Sequence, residues 1–215
     1  MKYEWRKKDK EIYIPKTKPI ITNVPEMNYI TIKGEGSPGS DLFKDCVQAL
    51  YAISYGVKMT LKGNTELKDY TDYTVFPLEG IWDLNEEGRT LYQTGKPITE
   101  LKDNMVFTMM IRQPSFVPKE YIETIQESVY KKKKLEKVKD VQFEKITEGL
   151  VCQMIHIGSY NDEPQSFKLM ENYCNENGYT RISKTHKEIY LSNPSSVEES
   201  KLKTTIRFKI EKKTV

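Results

Sequence analysis

Leu42, Phe43, Val47, Leu50, Tyr51, Ser54 and Tyr55 recur at spacings of three and four, which predicts an amphipathic helix over residues 41–58 with Ser40 or Asp41 as its N-cap. A short β-type run, residues 27–33, precedes it across the breaker Gly34-Glu35-Gly36-Ser37-Pro38-Gly39-Ser40. Residues 71–83 and 105–113 follow as strands, so the first half reads β-α-β-β. Pro114 and Pro118 end the last of these, and Lys119 to about Val138 predicts a connecting helix whose stripe is Tyr121, Ile122, Ile125 and Val129. Residues 150–157 then alternate as a strand, and residues 158–164 break it. A helix carries Phe167, Met170, Tyr173 and Cys174 to a stop at Asn177-Gly178, and strands follow at 186–192 and 203–211. The order is again β-α-β-β.

The repetition predicts one α+β domain over 1–215, with a first module at 27–117, a connecting helix at 118–140 and a second module at 141–211. Residues 1–26, with Pro15, Pro19 and Pro25, read as an irregular arm whose Ile12, Ile14, Ile20 and Ile21 are candidates to dock on the body. One β-α-β-β unit cannot cover both faces of its sheet, whereas two side by side make a curved antiparallel sheet with helices on one side and a central ligand groove. Matching the halves sets Leu78-Glu79-Gly80-Ile81-Trp82 against Lys187-Glu188-Ile189-Tyr190-Leu191, which puts Glu79 and Glu188 at related positions beside an aromatic residue each. Pro77 and Gly80 predict that the first of these strands is bent or at a sheet edge. A regular strand separates Glu79 from Trp82 by face; a bulge near Gly80 would aim both into a common space.

Composition changes this picture little. The chain has 215 residues, and its net charge of +3 comes from 34 basic and 31 acidic side chains, a near balance that argues against direct nucleic-acid binding. Cys46, Cys152 and Cys174 are far apart and suggest neither a disulfide framework nor a zinc site. No apolar run approaches a membrane span and no secretory h-region opens the chain, so the expectation is a cytoplasmic protein with no membrane association. The lysine run 131–134 reads first as a solvated helix end. No nucleophilic triad or nucleotide fingerprint is present, and His156 and His186 lack the spacing of a metal site, so neither metal nor cofactor is expected.

Glu148-Gly149-Leu150, His156 to Glu163, His186-Lys187-Glu188-Ile189-Tyr190-Leu191-Ser192-Asn193-Pro194 and Lys203-Thr204-Thr205-Ile206-Arg207 resemble the GyrI-like small-molecule-binding family. Pro77 to Trp82 and Phe107 to Val117 resemble its stand-alone members, and the likeness covers about residues 20 to 210. The resemblance implies paired SHS2-type modules, as in the effector domains of multidrug-sensing activators. It also implies the activity of some stand-alone relatives, cyclopropanoid hydrolases that open strained rings of DNA-alkylating natural products. The chain carries Ile81-Trp82-Asp83 where many such relatives have two successive Trp, and no helix-turn-helix is evident at its N-terminus.

An aromatic groove holding a carboxylate suits a small aromatic or cationic molecule, through π-faces and a counter-charge. Glu188, Tyr190 and Glu79 are the candidate catalytic residues: base, oxyanion donor and supporting carboxylate. Trp82, Glu79, Tyr51, Tyr55, His156, Glu163 and His186 are the candidate ligand-binding residues. Each also has a structural reading, as core aromatic, surface carboxylate, turn histidine or, for Glu163, a partner of the second helix dipole. The expected function is small-molecule binding in the groove, extending to detoxification of xenobiotics. Hydrolysis of cyclopropanoids is one alternative; a sensor or gyrase modulator acting through a protein partner is a second. A homodimer stays open.

Overall fold

The computed structural model describes residues 2–62 and 69–213. The strands are β1 (Ile20–Val24), β2 (Met27–Glu35), β3 (Leu78–Leu84), β4 (Met105–Gln113), β5 (Gln142–Ile146), β6 (Gly149–Ile157), β7 (Tyr179–Arg181), β8 (His186–Tyr190) and β9 (Lys203–Lys212). The helices are α1 (Trp5–Lys8), α2 (Lys10–Tyr13), α3 (Asp41–Leu61), α4 (Glu86–Gln93), α5 (Lys119–Lys133) and α6 (Glu163–Glu176). The strands form one open antiparallel sheet in the order β1-β6-β9-β8-β3-β4-β2-β5, with β7 on the far part of β9.

Helix α3 starts where Ser40 Oγ accepts the Phe43 amide proton at 3.2 Å. Its stripe of Cys46, Leu50, Ile53, Val57 and Leu61 shares a buried core with Ile30, Ile32 and Ile111 of the sheet. Helix α6 buries Met170 and Cys174 against Cys152, Met154, Ile206 and Phe208. Both long helices lie on one face, the front, because register pairs such as Ile30 with Ile111 and Cys152 with Phe208 project together.

The modules β2-α3-β3-β4 and β6-α6-β8-β9 have equivalent strand orders and meet at the antiparallel seam β3:β8. Each sheet half is completed from elsewhere in the chain: β1 precedes the first module yet pairs with β6, and β5 follows α5 yet pairs back onto β2. β1 and β5 therefore tie the two halves together at their outer edges.

Two expectations need correction, and three short elements went unread. Residues 1–26 are not an irregular arm: they form α1, α2 and β1, and the stretch before β1 packs on the back of the sheet. There Arg207 donates to the Ile12 carbonyl and the Thr205 hydroxyl to the Tyr13 carbonyl. The strand containing Gly80 is neither bent nor at an edge. It runs in unbroken register against both β4 and β8, and Pro77 stands just before its first residue, where no ladder bond is lost. Helix α4 and strands β5 and β7 are short and carry too few apolar repeats to stand out in the sequence. Among the described residues no helix is long and apolar enough to cross a membrane.

Candidate functional site

On the front face, over the seam, α3 and α6 flank a cleft of about 1940 Å³. Its floor is the front row of the seam strands: Leu78, Trp82 and Leu84 from β3, and His186, Glu188 and Tyr190 from β8. Its walls include Phe43, Tyr51 and Tyr55 from α3 and Glu163 and Phe167 from α6.

Gly80 explains how the floor closes. It sits opposite Glu188 in the ladder, between Leu78 and Trp82 on the same face. A Cβ there would meet Met109 Sδ at 2.8 Å, Trp82 Nε1 at 2.9 Å and Tyr190 OH at 3.2 Å. Without it, the Trp82 indole reaches across the seam and donates to the Tyr190 hydroxyl at 2.8 Å. That hydroxyl stands next to Glu188, two residues away on the same face of β8. Burial, and next the charge of Glu188, push the Tyr190 phenol well above its ordinary pKa, so it stays a donor.

Glu188 is 9 % exposed and its carboxylate has two further neighbours. His186 Nε2 lies 3.1 Å from its Oε1, with the imidazole set edge-on against the Phe167 ring at 4.8 Å. Glu163, the first residue of α6, is 5 % exposed and its carboxyl lies beside that of Glu188. Burial first, then the neighbouring carboxylate, raise the Glu163 pKa well above the ordinary range, because two charges this close in a dry site repel. The donor atoms of Glu163, His186 and Glu188 lie within 4.8 Å of one another.

The remaining expected residues are divided. Tyr51 and Tyr55 stack on each other with centroids 6.2 Å apart, both on the cleft wall, with Tyr55 half exposed. Trp82 borders the cleft but is 3 % exposed, with Phe43 stacked on it at 5.9 Å, so its indole N–H edge meets the floor group Tyr190. Glu79 is not in the cleft. Its register partner is Ile189, not Glu188, so its side chain points to the back of the sheet. The matching of the halves was one residue out, and a one-residue slip moves a side chain to the other face. A two-fold axis normal to the sheet preserves faces, so Glu79 cannot be the equivalent of Glu188.

On the back face Glu79 is fully buried and belongs to a charge network. Lys187 Nζ contacts Glu79 Oε2 at 2.6 Å and Glu148 Oε1 at 2.9 Å, and Arg207 Nη1 reaches the same Glu148 oxygen at 2.7 Å. The Tyr13 hydroxyl donates to Glu79 at 3.2 Å. His156 also lies outside the cleft lining: its ring is buried, with Nδ1 2.9 Å from Ser166 Oγ and Nε2 2.9 Å from the Ser159 carbonyl oxygen. It ties the end of β6 to the start of α6, which holds Glu163 in place.

Phe43, Tyr160 and Phe167 were not expected at the site. Phe43 covers Trp82, Tyr160 meets Tyr190 edge-on at 6.2 Å, and Phe167 meets His186. Phe43 and Phe167 held equivalent places in the matched halves, which was the one signal available for them.

The fold and the site together define a small-molecule-binding protein: two equivalent modules around a deep, aromatic-walled cleft with a carboxyl cluster on its floor. The chain belongs to the GyrI-like family, since the GyrI-like small molecule binding domain matches residues 17–211. Among solved structures it is similar to an uncharacterized conserved protein from Listeria innocua, at 33% identity and TM-score 0.86, covering 97% of this chain and 100% of that one. It is also similar to a Listeria innocua protein described as a hydrolase, at 33% identity and TM-score 0.86, covering 98% of this chain and 100% of that one. No curated protein matches the chain.

Proposed function

We propose that the cleft binds an amphipathic, planar aromatic compound bearing a positive or electrophilic centre, in the manner of a xenobiotic-sequestering protein. The observation that carries this reading is Glu188: a largely buried carboxylate on the floor of an aromatic-walled cleft, whose ion pair among the described residues is with His186 alone. A cation that replaces solvent there gains both the counter-charge and the π-faces of the walls. Tyr51 and Tyr55 supply exposed aromatic surface at the entrance, where a planar ligand stacks. Titration with a rhodamine-type cation followed by fluorescence tests it. Affinity should fall at least tenfold in Glu188→Gln and several-fold in Tyr55→Ala; equal affinity in Glu188→Gln and the parent protein refutes the reading.

A second reading, hydrolysis of a strained electrophile, is favoured by two observations. Glu188 is flanked by a phenol and by a second carboxyl whose pKa burial and the Glu188 charge push up, and a relative with 33% identity is described as a hydrolase. For a cyclopropane conjugated to a carbonyl, water attacks the ring methylene as Glu188 takes its proton. The breaking C–C bond delivers its electron pair through the conjugated system to the carbonyl oxygen. That oxygen is protonated from the acid side of the cluster, so the net change is addition of one water. Mass spectrometry of a cyclopropanoid agent incubated with the protein separates the readings. Multiple turnovers of hydrate, lost in Glu188→Gln with binding retained, support hydrolysis; stoichiometric capture leaves binding alone.

A further inference from the structure

We propose that Glu163, His186 and Glu188 form a binding site for one divalent transition-metal ion, with Zn²⁺ and Mn²⁺ as suitable occupants. The site shares Glu188 with the reading above but does not depend on an organic ligand.

The first observation is the donor set. Two carboxyl groups and an imidazole present atoms within 4.8 Å of one another, where the α6 wall meets the floor of the cleft. A tetrahedral ion with bonds of about 2.1 Å needs donors about 3.4 Å apart, a closure that small side-chain rotations supply. Nitrogen and oxygen donors in this ratio suit borderline divalent ions. The open side of the ion would face the cleft.

The second observation is an orphaned acceptor. Glu163 Oε1 is buried without a hydrogen-bond partner, although its residue is 5 % exposed and opens onto the cluster. A buried carboxyl oxygen left unpaired is costly, and a metal bond is one of the few partners that fit the space between three side chains.

The third is a lone-pair conflict at His186. Its Nε2 lies 3.1 Å from Glu188 Oε1 and its Nδ1 lies 3.4 Å from the Lys184 carbonyl oxygen. A neutral imidazole carries one N–H, so in that form one nitrogen turns a lone pair toward an oxygen lone pair, and only the protonated ring donates to both. An ion held by Nε2, Glu188 and Glu163 removes that conflict. Nδ1–H then donates to the Lys184 carbonyl, the outer-sphere bond that metal-ligating histidines usually make. Phe167 against the ring orients the His186 ligand before the ion arrives. Sequence spacing could not reveal the set, because the third ligand comes from a different helix.

The test uses EDTA-treated, tag-free protein with no organic ligand present. Mn²⁺ is followed by loss of the free-ion electron paramagnetic resonance signal, and Zn²⁺ by calorimetry. One ion per chain is expected, with affinity at least tenfold weaker in Glu163→Gln and in His186→Asn. A readout independent of the variants comes from the chain's 2 histidines: Zn²⁺ should shift the ring resonances of His186 and leave those of His156, whose nitrogens are both engaged. Absence of binding up to about 1 mM overturns the proposal, as does an ion that leaves the His186 resonances unmoved. Undiminished dye binding alongside that result would leave the organic-ligand reading standing.

Discussion

Replacing Gly80 by alanine adds one methyl group at the seam, and the structure states what that methyl meets. Gly80 has no left-handed backbone conformation to lose, so strain comes only from contacts. The three nearest atoms are Met109 Sδ at 2.8 Å, Trp82 Nε1 at 2.9 Å and Tyr190 OH at 3.2 Å. Met109 is fully buried and cannot swing into solvent. Overpacking of this kind costs about 1–3 kcal/mol. If Trp82 and Tyr190 part to make room, their hydrogen bond is lost for about 1 kcal/mol more. Against this, replacing glycine removes about 0.4–1 kcal/mol of unfolded-chain entropy. The expected net is a destabilisation of about 1–3 kcal/mol, or about 2–4 °C of melting temperature per kcal/mol for a chain of this size. Thermal and urea melts followed by tryptophan fluorescence measure it, with Gly39→Ala as control because nothing lies within 4 Å of a Cβ there. A Gly80→Ala protein as stable as the parent, with unchanged dye affinity, would refute the account of the floor.

Tyr190→Phe removes the acceptor for the Trp82 indole and should cost about 1–3 kcal/mol in urea melts. Lys187→Met leaves Glu79 and Glu148 buried without their shared cation and should cost about 3–5 kcal/mol. Glu79→Gln should lower the melting temperature while leaving dye affinity at the parent value, since its side chain faces away from the cleft; a loss of affinity as large as that of Glu188→Gln would contradict this. Burial alone would raise the Glu148 carboxyl, but Lys187 and Arg207 outweigh it and hold the pKa at about 2, below the ordinary 4.5. The unfolded chain therefore binds this proton first as pH falls. The stabilisation is complete above pH about 4.5 and drains away as pH falls toward about 2, a total on the order of 3 kcal/mol. Urea melts between these limits should show the loss, and Lys187→Met should flatten it.

Local pattern fixed the elements whose signal is local. The three-and-four spacing of α3, the alternating run of β6 and the repeated β-α-β-β order could all be read in the chain, because helix and strand faces impose their periods on the sequence. The importance of the β8 segment was legible too, through a resemblance carried by His186 to Pro194. The register between the modules was not. Two glutamates that match by letter lie on opposite faces because strand side chains alternate, and only the pairing of Gly80 with Glu188 decides which one meets the cleft. Glu163 was legible as a helix-opening acid, but its contact with Glu188 depends on where α6 docks, which the buried His156 bridge and the Met170–Cys174 stripe set. Helices α1 and α2 were invisible because each is a single turn, α1 held by the Trp5 indole on the Val75 carbonyl and α2 by the Arg207 and Thr205 side chains of a strand nearly the whole chain away. Their stability comes from tertiary contacts, and a contact between distant residues leaves no period in the sequence.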